Sequence, residues 1–235
     1  MSNKKKKNTK KKQQEPVKSK AQLKAEEEAH AKEFKKKAII VCTALVLIIA
    51  TVITLCTVLS KKHKGAYYVE MTVENYGTII LKLDCKAAPK TVKNFVRLVK
   101  KDFYNGLTFH RVIEDFMIQG GDPKANGTGD SGREIIGEFS SNGYYNPINH
   151  ERGVISMARG EDPNSASCQF FIVHETSPHL DGNYAAFGYV IKGMDVVDKI
   201  VEKTAIFGNS NGLISDKSKQ AVISEMKLIY YRDIK

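Results

Sequence analysis

The feature that most constrains this chain is an uninterrupted apolar segment at residues 38–59, which reads AIIVCTALVLIIATVITLCTVL. Its 22 residues include no charged residue, no proline and no glycine. At about 1.5 Å per residue, a helix of this length spans the roughly 30 Å hydrocarbon core of a bilayer. A buried core helix usually keeps a polar face, and a cleavable signal peptide has a shorter apolar region before a small-residue cleavage site. Because Lys61, Lys62 and Lys64 follow instead, we predict a single uncleaved transmembrane helix that contacts membrane lipid.

Basic residues are distributed unevenly about this segment. Residues 1–37 hold fourteen Lys against five Glu, and residues 60–65 add three Lys. The rest of the chain is close to neutral, with 20 Lys plus Arg against 21 Asp plus Glu. Because positive charge stays on the cytoplasmic side, we expect a basic, largely disordered cytoplasmic tail at 1–37, a linker at 60–67 and an extracytoplasmic domain at 68–235. A neutral domain argues against a nucleic-acid partner, which would require a basic surface.

The chain beyond the linker has the length of one domain and a pattern of short strands. Tyr68–Glu74 and Thr78–Leu83 read as the two strands of a hairpin. Apolar residues at helical spacing predict one helix that opens at Ala88–Thr91 and another over Met194–Val201. A last strand is predicted at Glu225–Tyr231. Many short strands with only two helices predict a mainly β fold, a closed antiparallel barrel.

Several segments of this domain occur in an order that matches one known family. The most specific is FHRVIEDFMIQGGD at Phe109–Asp122. The others are Ala88–Phe95, Asn126–Gly129, Gly153–Ala158, Ser167–Ile172, Leu180–Gly182 and Phe187–Gly188. Together they resemble the cyclophilin-type peptidyl-prolyl cis–trans isomerases, in a bacterial-like form. The resemblance covers about residues 68–235 and implies a closed eight-stranded antiparallel barrel capped by two α-helices.

Isomerisation of an X–Pro bond requires neither a nucleophile nor a metal. The planar amide resists rotation by ~20 kcal/mol, and a hydrogen-bond donor lowers this barrier when it binds the twisted state more strongly than the planar one. The resemblance implies that Arg111 is this donor and that proline-containing polypeptides are the substrates, with no cofactor and no metal. The residues alone leave another interpretation open, a surface arginine paired with Glu114 or Asp115.

The resemblance also implies a groove that holds the peptide. Strand alternation places Phe170 and Phe171 on opposite faces, so that one belongs to the core and the other to the groove. Two glutamines in otherwise apolar strands are expected to orient the peptide and Arg111 through hydrogen bonds. The substrate-binding residues implied are Phe116, Met117, Gln119, Ala158, Gln169, Phe171, His179, Leu180 and Tyr184.

Three positions of the groove depart from the family pattern. His179 stands where the family often has tryptophan, and the chain contains no Trp, so we expect weak cyclosporin binding. Tyr184 replaces a common histidine, and Arg159 replaces a common asparagine. These changes leave the residue preference beside the proline open.

Cysteines and histidines add little further chemistry. Cys85 and Cys168 lie far apart without a CxxC or metal-type spacing, and free thiols are favoured over a disulfide. The local sequence around the six histidines suggests neither a metal site nor a Ser–His–Asp set.

Two functions follow from these features. The first is a membrane-anchored peptidyl-prolyl cis–trans isomerase that assists the folding of exported or surface proteins. The second is a membrane-tethered, non-catalytic module that grips proline-containing segments as a chaperone, and it is motivated by the altered residues at 159, 179 and 184.

Overall fold

A computed structural model describes the backbone of residues 20–61 and 65–234, whereas the side chains of residues 22, 23, 25, 26, 29 and 53–61 lie outside the description. The predicted basic tail is therefore outside the described residues up to position 19, as are residues 62–64 of the predicted linker. The chain divides into two compact units, one ending at Lys62 and the other beginning at His63. Each unit is described by itself.

The described residues of the first unit form one helix, α1 (Lys20–Lys61). Its polar half includes an ion pair between Lys37 and Glu33 at 2.9 Å, and the large apolar side chains described between Ile39 and Val52 are exposed. Over the residues that the structure describes, no helix is both long and apolar enough to cross a membrane. The predicted membrane span is thus not confirmed, and its side chains at 53–59 lie outside the described part.

The second unit is a closed antiparallel β-barrel. Its described residues form the strands β1 (Ala66–Val73), β2 (Gly77–Asp84), β3 (Thr108–Ile113), β4 (Met117–Gly120), β5 (Val154–Met157), β6 (Phe170–Val173), β7 (Ala186–Lys192) and β8 (Ala221–Ile229). Within residues 65–234, these eight strands follow one another around the barrel in the order β1-β2-β7-β5-β6-β4-β3-β8. The prediction of a closed eight-stranded antiparallel barrel is therefore confirmed.

The β1–β2 hairpin shows how the sequence produces this sheet. Val69 pairs with Leu81 across the two strands, and both side chains are fully buried, as period-two alternation requires. The turn passes through Asn75 at φ 65° and Gly77 at φ 127°. Asparagine and glycine tolerate this region of backbone space best, so the chain reverses here.

Two helices pack on the barrel, as predicted. The helix α2 (Pro89–Val99) begins with proline at its first turn, where the missing N–H costs nothing. The buried carboxylate of Glu138 accepts hydrogen bonds from the backbone N–H groups of Lys90 (3.0 Å) and Thr91 (2.8 Å) and from the Thr91 hydroxyl (2.8 Å). A distant side chain therefore caps this helix and offsets its positive end.

The helix α3 (Met194–Thr204) covers another part of the barrel through Val197 and Ile200, which are fully buried. The core between α2 and the sheet is aromatic. Phe95 lies 5.6 Å from Phe170 and 5.1 Å from Phe187, measured between ring centroids. Edge-to-face and tilted contacts of this kind are favourable for aromatic rings, and they fix α2 on the strands that carry Phe170 and Phe187.

The predicted position of the last strand was wrong at both ends. β8 runs over Ala221–Ile229 and pairs with β3 at its start and with β1 at its end. Tyr231 instead begins a short turn and is 70% exposed. The aromatic pair Tyr230–Tyr231 favours a strand by propensity, but β8 ends at Ile229, which pairs with Tyr68.

Both cysteines of the domain are free thiols, which confirms the sequence-based preference. Cys168 is fully buried, and burial raises the pKa of its thiol to about 12. Because the thiolate is the reactive form, this side chain behaves as part of the core.

Substitution of Glu138 tests its role as a helix cap. We expect Glu138→Gln to lower the free energy of unfolding by roughly 1–3 kcal/mol, because buried backbone N–H groups lose a charged acceptor. Urea unfolding of residues 65–235, followed by circular dichroism, measures this difference. The matched control is Glu134→Gln, an exposed carboxylate four residues earlier. Equal losses in the two variants would contradict the capping role.

Candidate active site

Strand register brings the key side chains into one row on the outer face of the barrel. Arg111 on β3 pairs with Gln119 on β4, and Gln119 pairs with Phe171 on β6. Phe171 in turn pairs with Ser156 on β5. Because paired residues share a face, a donor, an amide and an aromatic ring lie side by side. Phe170 points the other way into the core, as alternation predicted.

A pocket of about 110 Å³ with an apolar floor lies beside this row. Phe171 and Leu180 are nearly buried in it, at 5% and 6% exposure. Tyr184 packs edge-on against Phe171, with 5.8 Å between ring centroids. The pocket is lined by Arg111, Phe116, Met117, Gln119, Ala158, Arg159, Phe171, Leu180 and Tyr184. Seven of the nine predicted substrate-binding residues therefore line one pocket together with Arg111.

The other two predicted residues lie next to this pocket. Gln169 lines a second pocket of about 290 Å³. The ring of His179 packs beside Phe116, with 5.4 Å between ring centroids, and its side chain is at the rim. The structure thus gathers all the predicted residues at one place, and their roles in substrate binding stay predictions.

Arg111 is held by neutral oxygen atoms. Its Nε donates a hydrogen bond to the backbone carbonyl of Asn211 (2.8 Å), and its Nη1 donates to Oε1 of Gln119 (3.2 Å). The structure shows no ion pair from Arg111 to Glu114 or Asp115 among the described residues, so the surface-pair interpretation does not describe this side chain. Burial lowers the pKa of Arg111, but an arginine guanidinium remains charged in proteins.

A relay of amides fixes the position of Gln119. Nε2 of Gln119 donates to Oε1 of Gln169 (2.9 Å), and Nε2 of Gln169 donates to the carbonyls of Gly127 (3.1 Å) and Gly129 (2.8 Å). Since each amide uses both ends, Gln119 has its oxygen directed at Arg111. These contacts agree with the predicted orientation of Arg111, directly for Gln119 and indirectly for Gln169, and the orientation of a peptide by the two glutamines stays a prediction.

Asp122 organises the glycine-rich loop that receives this relay. Its carboxylate accepts N–H groups from Lys124 (2.7 Å), Asn126 (3.0 Å) and Gly127 (2.6 Å). Burial alone would raise the pKa of Asp122, but these backbone donors outweigh it and hold the pKa below its ordinary value. A Cβ atom at Gly129 would lie 1.8 Å from the same carboxylate, so only glycine fits there. Beyond the motif itself, no sequence pattern predicted this contact.

A hydrogen-bonded Ser–His–Asp chain lies behind the pocket, which local sequence did not suggest. Nδ1 of His150 is 2.8 Å from Oδ1 of Asp181, and Nε2 of His150 is 2.9 Å from the hydroxyl of Ser156. Ser156 is fully buried and His150 is 1% exposed, so a peptide cannot reach the serine. The His150 ring stacks on Phe171 at 5.9 Å. These three hydrogen-bonded residues therefore support the pocket floor and do not act as a nucleophilic set.

Side chains that could bind a metal ion form no site among the described residues. Among the residues that the structure describes, His, Cys, Asp and Glu side chains form no group of three or more able to hold an ion.

The barrel thus carries a fixed cationic donor, Arg111, at the wall of a small pocket. The family model "Cyclophilin type peptidyl-prolyl cis-trans isomerase/CLD" matches residues 68–227. The chain therefore belongs to the cyclophilin-type peptidyl-prolyl cis–trans isomerases.

Individual relatives agree with this assignment. A peptidyl-prolyl cis–trans isomerase of Helicobacter pylori is 44% identical over 142 residues, which are 58% of this chain and 84% of the relative. A peptidyl-prolyl cis–trans isomerase-like 2 protein of Rhizopus delemar is 44% identical over 142 residues, 60% of this chain but only 26% of that protein. Relatives thus come from a bacterium and a fungus alike, and the bacterial-like character stays a prediction.

A solved structure shows the same fold. The cyclophilin-type isomerase of Cryptosporidium parvum, crystallised in the presence of the dipeptide Ala-Pro, is 30% identical. It covers 69% of this chain and 99% of its own, with a TM-score of 0.60.

Buried histidines predict how stability depends on pH. Burial lowers the pKa of His110 and His150 from 6.5, and the neighbouring Asp122 and Asp181 offset this only in part. Their contribution to stability is therefore full above pH 6.5 and is lost as the pH falls through the lower folded pKa values. We expect the free energy of unfolding of residues 65–235 in urea titrations to fall as the pH is lowered below 6.5, the ordinary histidine pKa. His150→Gln should make the fall smaller, and a slope that this change does not alter would contradict the assignment of His150.

Proposed function

We propose that this chain is a membrane-anchored peptidyl-prolyl cis–trans isomerase that assists the folding of exported or surface proteins. The observation that carries the catalytic part is the placement of Arg111, a cation held by neutral oxygens at the wall of a pocket with an apolar floor. Proline-containing polypeptides are the proposed substrates.

The pocket and the guanidinium of Arg111 have separate roles in the proposed catalysis. The side chains of Phe116, Met117, Phe171 and Leu180 hold the proline ring while the preceding carbonyl rotates. In the twisted state the prolyl nitrogen regains its lone pair and accepts a hydrogen bond. Arg111 uses Nε and one N–H of Nη1 for its own support, and Nη2 has no hydrogen-bond partner among the described residues. This group is the proposed donor.

Rigidity is part of this mechanism. A donor stabilises a transition state most when it is already oriented before the reaction, because no reorganisation is then required. The relay from Gly127 and Gly129 through Gln169 and Gln119 supplies this orientation on one side of Arg111. The carbonyl of Asn211 supplies it on the other side.

Removal of the donor tests the catalytic role. We expect Arg111→Ala to lower kcat/KM by about 10²–10³-fold, the loss found when a preorganised donor is removed. Exchange spectroscopy on a proline peptide, with the unmodified and variant residues 65–235, measures the rates. The matched control is Arg133→Ala, since Arg133 lies in an exposed loop away from the pocket. Similar rates for the Arg111 variant and the unmodified domain would contradict the proposal.

The second candidate is a tethered, non-catalytic module. It is favoured by the residues at the groove that depart from the family, His179, Tyr184 and Arg159. In this case the domain would bind proline peptides in titrations while exchange stayed at the uncatalysed rate. Measurable acceleration by the unmodified domain rejects this candidate.

We also propose weak cyclosporin binding. The His179 ring lies beside Phe116 at the rim, where the resemblance implies tryptophan in many members. An imidazole offers less apolar surface than an indole, so a large apolar ligand loses contact area there.

The proposed membrane anchor is the apolar segment at residues 38–59. The consecutive residues Leu45–Ile49 are each between 53% and 66% exposed, and five consecutive residues face every side of a helix. Burial of each such side chain stabilises the protein by roughly 1.5–3 kcal/mol. Lipid would provide this burial. Fourteen Lys before the segment and three after it support a cytoplasmic N-terminus and an extracytoplasmic domain.

Membrane fractionation tests the anchor, and protease access tests its orientation. We expect the full chain to stay in the membrane fraction after alkaline carbonate washing, and Leu47→Lys with Ile48→Lys to release it, because charges inside the bilayer are costly. The matched control, Lys35→Gln with Lys36→Gln, changes two positions outside the segment. A protease added to intact cells should remove the domain, whereas a protected domain would contradict the orientation.

A further inference from the structure

Arg159 lies where two pockets of the groove meet. It lines the pocket of about 110 Å³ and also the second pocket of about 290 Å³. Gln119 and Ala158 line both pockets as well. Arg159, Gln119 and Ala158 thus form the boundary between the two pockets.

The guanidinium of Arg159 is fixed in place. Its Nε donates to the carbonyl of Asn183 (3.1 Å), and its Nη1 donates to the carbonyls of Gly160 (2.8 Å) and Glu161 (3.1 Å). Its plane lies over the rings of Tyr184 and Phe139, at 4.8 and 5.3 Å from their centroids. Because these contacts already order the side chain, a ligand would lose little rotamer entropy by binding it.

The positive charge of Arg159 is not neutralised. Within the described residues its hydrogen bonds go to carbonyl oxygens, and Glu161 contributes its backbone rather than its carboxylate. Nη2 has no hydrogen-bond partner in this part of the chain. The pocket of about 110 Å³ is lined by two cations, Arg111 and Arg159, and by no carboxylate.

Two carboxylates close to the groove, Asp181 and Asp130, already accept hydrogen bonds. Asp181 accepts from His150 behind the pocket floor. Asp130 lines only the second pocket and accepts the backbone N–H of Gly132. Because Arg111 and Arg159 line the pocket of about 110 Å³ and no carboxylate does, a substrate carboxylate in this pocket would face positive charge.

We propose that Arg159 determines specificity, and that it selects substrates with aspartate or glutamate beside the isomerised proline. This inference rests on the proposed isomerase function and names its substrate class. A guanidinium binds a carboxylate through charge-assisted hydrogen bonds, and the free Nη2 supplies the donors. An alternative role for Arg159 is purely structural, in which it only closes the loop at 159–165.

Pairs of peptides that differ only in charge separate these roles. The full chain in detergent is given Ala-Glu-Pro-Ala and Ala-Gln-Pro-Ala, and then the pair with Glu or Gln after the proline, and exchange is measured by NMR. We expect kcat/KM to be about fivefold higher for the Glu peptide than for the Gln peptide in at least one of the two comparisons. A difference of this size is typical of a partly exposed ion pair. The ratio should shrink as salt rises to about 0.5 M, because salt screens such charges.

Substitutions of Arg159 test whether its charge causes the preference for the Glu peptide. Arg159→Gln should bring the Glu/Gln ratio to about one, whatever it does to the common rate, and Arg159→Lys should restore part of the ratio. The matched control Arg232→Gln removes the same charge from an exposed position, 82% exposed at its side chain, and should leave the ratio unchanged. A structural role would lower both rates together and leave the ratio intact.

The outcomes separate the two proposals. If all peptides are accelerated but the ratio is one, or if Arg159→Gln preserves the ratio, the specificity role is overturned while the isomerase function stands. If no peptide is accelerated, the isomerase function fails and the specificity role fails with it.

Discussion

In a closed barrel each strand must send alternate side chains into the core, and the register between strands then decides which of the others become neighbours. Here β3, β4, β6 and β5 place Arg111, Gln119, Phe171 and Ser156 abreast. A slip of one residue in β4 would turn Gln119 inward and Ile118 outward. The aromatic core around Phe95 and Phe170 resists such a slip, so packing inside the barrel maintains the chemistry outside it.

Loops supply the remaining hydrogen bonds that orient Arg111. Arg111 takes one acceptor from Asn211, a hundred residues further along the chain, and the other from a relay that ends at the glycine-rich loop. Asn209 supports the first loop by accepting the backbone N–H groups of Asn211 and Leu213. Asp122 supports the second loop in the same manner. Two polar side chains thus organise loops on either side of the guanidinium.

Much of the fold could be predicted from local sequence, because periodicity reports which face of an element is buried. The hairpin, both helices and the opposite orientations of Phe170 and Phe171 followed from spacing alone. The family motif added the remaining groove residues. The end of β8 was misplaced because propensity at Tyr230 and Tyr231 says nothing about where the partner strand stops. The contacts of His150 with Ser156 and Asp181, and of Arg111 with Asn211, join distant segments, and no single stretch of sequence reveals them. The membrane span stays a prediction.

Closure of the barrel also determines how this domain can handle an unfolded chain. Within residues 65–234, each strand has a partner on both sides, so the described sheet has no edge strand. Open sheet edges capture extended polypeptides by adding them as a further strand. A domain that meets unfolded segments repeatedly would be blocked by such pairing. In the proposed function, recognition therefore falls to the groove on the outer face, which would hold a segment over a few residues and then release it.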